Sequence, residues 1–166
     1  MLTPRIDFKN FNTRVKSKIN LKKKLNSLIK ENSDILKSLG KNYKNSFNKK
    51  KLAKYKKFSN FRVIGMGGSI LGTQAIYDFL KDKINKKFSF VNNLQDQNKK
   101  IKEEKFTNLI VSKSGETIET IVNSNILIKK KDRNIFITEN KSSYLYLLAN
   151  KLKAEIIHHN NFIGGR

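Results

Sequence analysis

The chain contains no cysteine, which excludes disulfides and thiolate-held metals. Histidine is nearly as scarce. His158 and His159 stand alone, too few for a histidine metal cluster without carboxylate help. No stretch approaches the ~18 consecutive apolar residues of a membrane-spanning helix. The opening Met1-Leu2-Thr3-Pro4-Arg5-Ile6-Asp7 has no apolar core of the kind a signal peptide carries. A cytoplasmic protein with no membrane attachment is expected.

Acidic side chains are also few: 13 Asp and Glu stand against 36 Lys and Arg, a net charge of +23 over 166 residues. Such an excess suits nucleic acid or an anionic membrane surface. Yet lysine far outnumbers arginine, and phosphate and base recognition favour the arginine fork. Asn and Ile are abundant too, and they share A/T-rich codons with Lys. Genomic base composition therefore explains the charge more simply than a nucleic-acid partner does. Attraction of anionic metabolites or partners is the remaining reading. The length supports one domain with a real core, and not comfortably two.

Two textures divide the chain into a helical segment, 1–58, and an α/β domain, 59–166. In the first, Val15, Ile19, Leu21, Leu25, Leu28 and Ile29 recur at helical spacing, followed by Ile35, Leu36 and Leu39 before Gly40. The pattern predicts one or two amphipathic helices ending near that glycine. A weaker helical stretch surrounds Phe47, Leu52 and Tyr55, and the lysines 49–51 and 56–57 are expected to form a solvated face, with a binding patch as the alternative. From Phe61 onward, short apolar runs at 61–64, 88–91, 108–111, 134–137 and 155–157 alternate with helical patterns. Between 92 and 105 the chain is polar, as expected of a loop with at most a short helix. Strand–helix alternation predicts a parallel five-stranded sheet covered by helices on both faces, a three-layer α/β fold. Ligands of such sheets bind beyond the C-terminal strand ends.

Two loops fall at that edge. Ile64-Gly65-Met66-Gly67-Gly68-Ser69-Ile70-Leu71-Gly72-Thr73 follows a predicted strand and opens a helix. Ile70 stands where a dinucleotide fingerprint needs its third glycine, and Thr73 where a Walker loop needs lysine. The loop reads either as an anion- or sugar-binding turn or as a tight packing turn. The second loop is Ser112-Lys113-Ser114-Gly115-Glu116-Thr117-Ile118-Glu119-Thr120, after the apolar Leu109-Ile110-Val111. Its spacings fit a capping box. Capping needs one hydroxyl, whereas Ser112, Ser114 and Thr117 bring three towards a helix N-terminus, which favours an anion, most simply a phosphate. Without a Walker lysine or a metal-binding aspartate, that phosphate serves to position a substrate. The final Gly164-Gly165-Arg166 places a guanidinium after the last strand, either over the same edge or on a loose basic end. His158 and His159 would alternate sides on a strand, so at most one faces a site; a structural or solvent-facing role is expected.

Taken together, Gly65-Met66-Gly67-Gly68-Ser69-Ile70-Leu71-Gly72, the Ser112–Thr120 loop and Gly164-Gly165-Arg166 resemble the glucose-6-phosphate isomerase family of sugar isomerase domains. The resemblance covers residues 60–166. It implies a substrate-phosphate site at Ser112, Lys113, Ser114 and Thr117, sugar contacts at Gly68 and Ser69, and a catalytic arginine at Arg166. It further implies aldose–ketose isomerisation of a phosphorylated sugar through a cis-enediol, with no metal and no organic cofactor. Family members act as homodimers, and their catalytic glutamate, with an assisting histidine and lysine, lies downstream of the Gly-Gly-Arg. The resemblance thus makes this chain an N-terminal portion, without the base and unable to turn over substrate unaided; Glu119 is not a substitute. Two other functions compete: a stand-alone phosphosugar sensor, and a nucleic-acid-binding protein using its lysine-rich N-terminal helices, whose affinity would fall steeply with salt.

Overall fold

The computed structural model describes residues 18–31, 33–94 and 105–164. Val15, most of the polar stretch 92–105, Gly165 and Arg166 lie outside them. The chain divides into two compact units, one up to Tyr43 and one from Lys44. In the first, helix α1 spans Lys18–Lys30 and α2 spans Asp34–Ser38. Ser33 caps α2 by accepting the Leu36 N–H. The cap at its other end is Leu39, with the Gly40 N–H closing onto the Lys37 carbonyl.

The second unit begins with a short helix α3, Lys49–Ala53, capped by the Asn48 side chain. Five strands follow: β1 Asn60–Gly65, β2 Lys87–Val91, β3 Thr107–Val111, β4 Arg133–Thr138 and β5 Glu155–His158. All four pairings are parallel, in the order β2-β1-β3-β4-β5. Three longer helices connect them: α4 Leu71–Leu80, α5 Ile118–Leu127 and α6 Tyr144–Lys151. The expected five-stranded parallel sheet flanked by helices is the fold observed. Its strands fall within a residue of the predicted apolar runs at each end.

Alternation along the strands separates two faces. One face carries Phe61, Phe88 and Phe90. Phe61 stacks on Phe88 at 5.1 Å between ring centres, and Tyr77 of α4 lies 5.1 Å from Phe88 and 5.8 Å from Phe90. The other face holds the main core, where Ile64, Val91, Ile110 and Phe136 pack with Leu145 and Ala149 of α6. Ile121 and Leu127 of α5 pack against it. β1, covered on both sides, is buried from Phe61 to Gly65. One charge is enclosed with it: the Arg62 guanidinium lies 4.1 Å over the Phe106 ring and donates to the Leu127 carbonyl at 3.1 Å. Low in β3 and β4, Asn108 donates to Asn134 at 2.8 Å, and Asn134 donates to the Lys129 carbonyl.

Phe136 is fully buried, whereas Phe79 on the outer side of α4 is 88% exposed. Phe136→Ala is expected to cost about 3–5 kcal/mol of stability, and Phe79→Ser to stay within about 0.5 kcal/mol. Urea denaturation of the two variants beside wild type measures the difference.

Candidate functional site

The strand order places the site. Moving along the chain, β2 pairs with one edge of β1 and β3 with the other, so the direction of winding reverses between β1 and β3. At such a switch point the loops leaving the two strands part, and a crevice opens at the C-terminal edge. The loops leaving β1 and β3 are the two that the sequence singles out. Gly65 and Val111, the last residues of their strands, are register partners. A Cβ on Gly65 would stand 3.0 Å from the Val111 carbonyl oxygen, so glycine allows the two backbones to approach where the crevice begins.

After β1 the chain turns through one 3₁₀ turn, Gly67–Ser69, before α4. Gly68 is exposed, Ser69 half-buried and Ile70 fully buried. Ile70 thus pins the turn to the core and leaves Gly68 and Ser69 at the edge.

The loop after β3 is braced on β4 and α6. The Ser112 N–H donates to the Ile137 carbonyl, and the Glu139 N–H to the Lys113 carbonyl. The Leu145 N–H of α6 donates to the Gly115 carbonyl at 3.1 Å. Gly115 has φ +70, and a Cβ there would collide with the Ser143 side chain, so both conformation and space require glycine.

Within this loop the three hydroxyls have different positions. Ser112 is buried. Its Oγ lies 3.0 Å from Thr117 Oγ1 and accepts the Gly115 N–H at 3.2 Å. Ser114, half-buried, accepts the Glu116 N–H at 3.2 Å. Thr117 is the N-cap of α5, yet its side chain makes no capping bond. The first-turn N–H groups of a helix lack carbonyl partners, so α5 presents its positive end uncapped. The Lys113 ammonium stands 4.0 Å from Glu139, which Lys141 also engages at 3.2 Å.

The capping box that the spacings Ser114–Thr117 and Glu116–Glu119 would also allow does not form. Glu116 instead reaches across to α6, and its Oε1 accepts the Tyr144 N–H at 2.9 Å. Ser143, the α6 N-cap, makes no side-chain cap bond, so Glu116 takes that role. Sequence reasoning missed it because the partner lies 28 positions away. Glu139 and Lys141, after β4, were missed as well. The two histidines close the far side of the same edge: His158 Nδ1 accepts the Asn140 N–H, and the His159 N–H donates to the Thr138 carbonyl. Arg166 lies outside the described residues. Among the described residues no helix is long and apolar enough to cross a membrane.

The fold is an α/β domain that carries two glycine- and hydroxyl-rich loops at a strand-order switch. A model of the family described as Phosphoglucose isomerase matches residues 12–155, and the chain belongs to that family. The glucose-6-phosphate isomerase of Methanocaldococcus jannaschii is 43% identical over 88 residues, 48% of this chain and 21% of that protein. That of Borreliella afzelii is 32% identical over 134 residues, 70% of this chain and 25% of that protein. The matches thus span a quarter or less of these relatives' length. A crystal structure of a hypothetical protein from Thermus thermophilus shares the fold, with a TM-score of 0.58 at 20% identity over 70% of this chain and 32% of that one.

The brace from Glu116 is testable. Glu116→Ala is expected to cost about 1 kcal/mol, the worth of a helix cap, while Glu116→Gln keeps an acceptor oxygen and loses less than half of that. Equal losses in thermal unfolding would show that the Tyr144 N–H contributes nothing.

Proposed function

We propose that this chain supplies the phosphate-binding half of a phosphosugar isomerase site, interconverting glucose 6-phosphate and fructose 6-phosphate in a cytoplasmic homodimer. The observation that carries the reading is the uncapped N-terminus of α5 at the β1/β3 switch, with Ser114, Thr117 and Lys113 at its mouth. A substrate phosphate there meets first-turn N–H groups, two hydroxyls and a positive dipole end. Ser112 acts from beneath, because its hydroxyl holds Thr117 Oγ1 and the Gly115 N–H in place. Gly68 and Ser69, on the neighbouring strand end, face the sugar.

The chemistry is a proton transfer between C1 and C2 of the open-chain sugar. A base removes the C2 proton of the aldose while the carbonyl oxygen gains one. The resulting cis-enediol is reprotonated at C1 while the oxygen on C2 gives up its proton, which yields the ketose. Negative charge develops on the enediol oxygens, and a guanidinium such as that of Arg166 stabilises it electrostatically. The phosphate grip converts binding into orientation of the reacting carbons. Neither carboxylate of the loop serves as the base: Glu116 is engaged by Tyr144, and Glu119 lies on the first turn of α5. The base in this reading is a group other than these two carboxylates.

A thermal-shift titration tests the reading, because a ligand that binds only the native state adds about 2.7 kcal/mol at a hundred times its Kd. Fructose 6-phosphate is expected to raise the Tm more than fructose or inorganic phosphate does, and Ser114→Ala to abolish the difference. A folded sample with no phosphosugar shift, or a shift that Ser114→Ala leaves intact, refutes it.

A further inference from the structure

A second cleft, with a volume of ≈ 450 Å³, lies at the opposite, N-terminal edge of the sheet. That is within the range of small-ligand sites. The starts of β4 and β5, the turn that follows α6 and the α3 segment wall it. Four cations line it, Lys51, Lys54, Arg133 and Lys153, against the carboxylates Asp132 and Glu155, a formal excess of two positive charges. Glu155 is taken up by Lys54 at 3.0 Å, and this hydrogen bond, more than any other influence, raises the Lys54 ammonium above its ordinary pKa. Asp132 accepts the Lys129 N–H at 2.8 Å. The ammonium groups of Lys51 and Lys153 form no ion pair among the described residues.

Two features distinguish the cleft from an ordinary lysine-rich surface. First, the Arg133 guanidinium is fixed in place: its Nε donates to Thr107 Oγ1 at 3.1 Å, and its central carbon lies 3.8 Å from the centre of the Phe58 ring. Its two Nη groups have no partner among the described residues, which leaves the bidentate edge that oxyanions prefer already oriented. Second, Lys153 has φ +52, the only positive φ at a non-glycine among the described residues. It follows the cap of α6, where helices favour glycine. A lysine held in that conformation opposes local stability and sets a cation at the cleft, and strain of this kind marks functional positions.

We propose that this cleft binds a small oligophosphate anion, either the phosphate chain of a nucleotide or a free polyphosphate. The Arg133 fork takes one phosphate, and Lys51 and Lys153 neutralise the next. The site is separate from the crevice at the C-terminal edge and stands whether or not that crevice binds a phosphosugar.

Isothermal titration of the 166-residue chain with tripolyphosphate and with ATP, at physiological chloride, tests it. One-to-one binding is expected, and fructose 6-phosphate does not displace it. Arg133→Gln and Lys153→Gly should each weaken binding roughly tenfold, the size of one charge-assisted contact. Lys153→Gly should at the same time raise the Tm, so its loss of binding cannot be a folding defect. Equal affinity for the two probes assigns recognition to the phosphate chain alone, and tighter ATP binding adds the nucleoside; either supports the site. Absence of binding in a folded sample, or affinity unchanged in both variants, overturns the proposal. So does displacement by fructose 6-phosphate, which places the anion at the β3–α5 loop. Displacement by a single-stranded oligonucleotide with steep salt dependence also overturns it, and assigns the surface to nucleic acid.

Discussion

The parallel pairing of β1 with β3, at the point where the winding of the sheet reverses, governs where every other part of the α/β unit goes. Parallel strands require long connections, and those connections cover the faces. Reversal after β2 sends α4 to the face of Phe88 and Phe90, and α5 and α6 to the face of Ile64, Ile110 and Phe136. The strands need both layers, because β1 is buried on both sides. The same reversal separates the two loops at the strand ends. Core and crevice therefore follow from a single topological fact.

The crevice then depends on how rigidly the β3–α5 loop is held. An anion site made of backbone N–H groups works only if they already point at the ligand. Here the orientation comes from the fold. Backbone bonds join the loop to β4 and α6, Glu116 adds a side-chain bond, and the buried Ser112 hydroxyl fixes the turn from inside. The half-buried hydroxyls of Ser114 and Thr117 and the uncapped helix end form the mouth of the proposed phosphate site. The division of labour is clear in Ser112 and Ser114, identical side chains two residues apart, one turned inward and one at the mouth.

Much of this was legible in the chain. Short apolar runs and helical spacings located all five strands and the helices between them, because each strand carries a run of apolar residues that the polar loops beside it lack. Glycine and hydroxyl clusters marked the two loops that stand at the strand-order switch. What stayed hidden depends on contacts between distant segments. The alignment of β4 with β3 decides that Ser112 faces inward and that Glu116 meets Tyr144, and no local spacing encodes that alignment. The capping box, the simpler alternative that those spacings allowed, gives way to a tertiary contact. The cleft at the opposite edge was hidden for another reason: its cations come from separate stretches, each indistinguishable from the other lysines of a basic chain.

The bracing of the β3–α5 loop carries an evolutionary consequence. Ser112, Lys113, Gly115 and Glu116 are each tied to a different point, on or just after β4 or at the start of α6. One inserted or deleted residue would throw all the later ties out of step and aim the end of α5 elsewhere. Such a segment can change its letters but not its count. Homologous chains that keep this crevice should differ in length in the other connections, while the distance from Val111 to Ile118 stays constant.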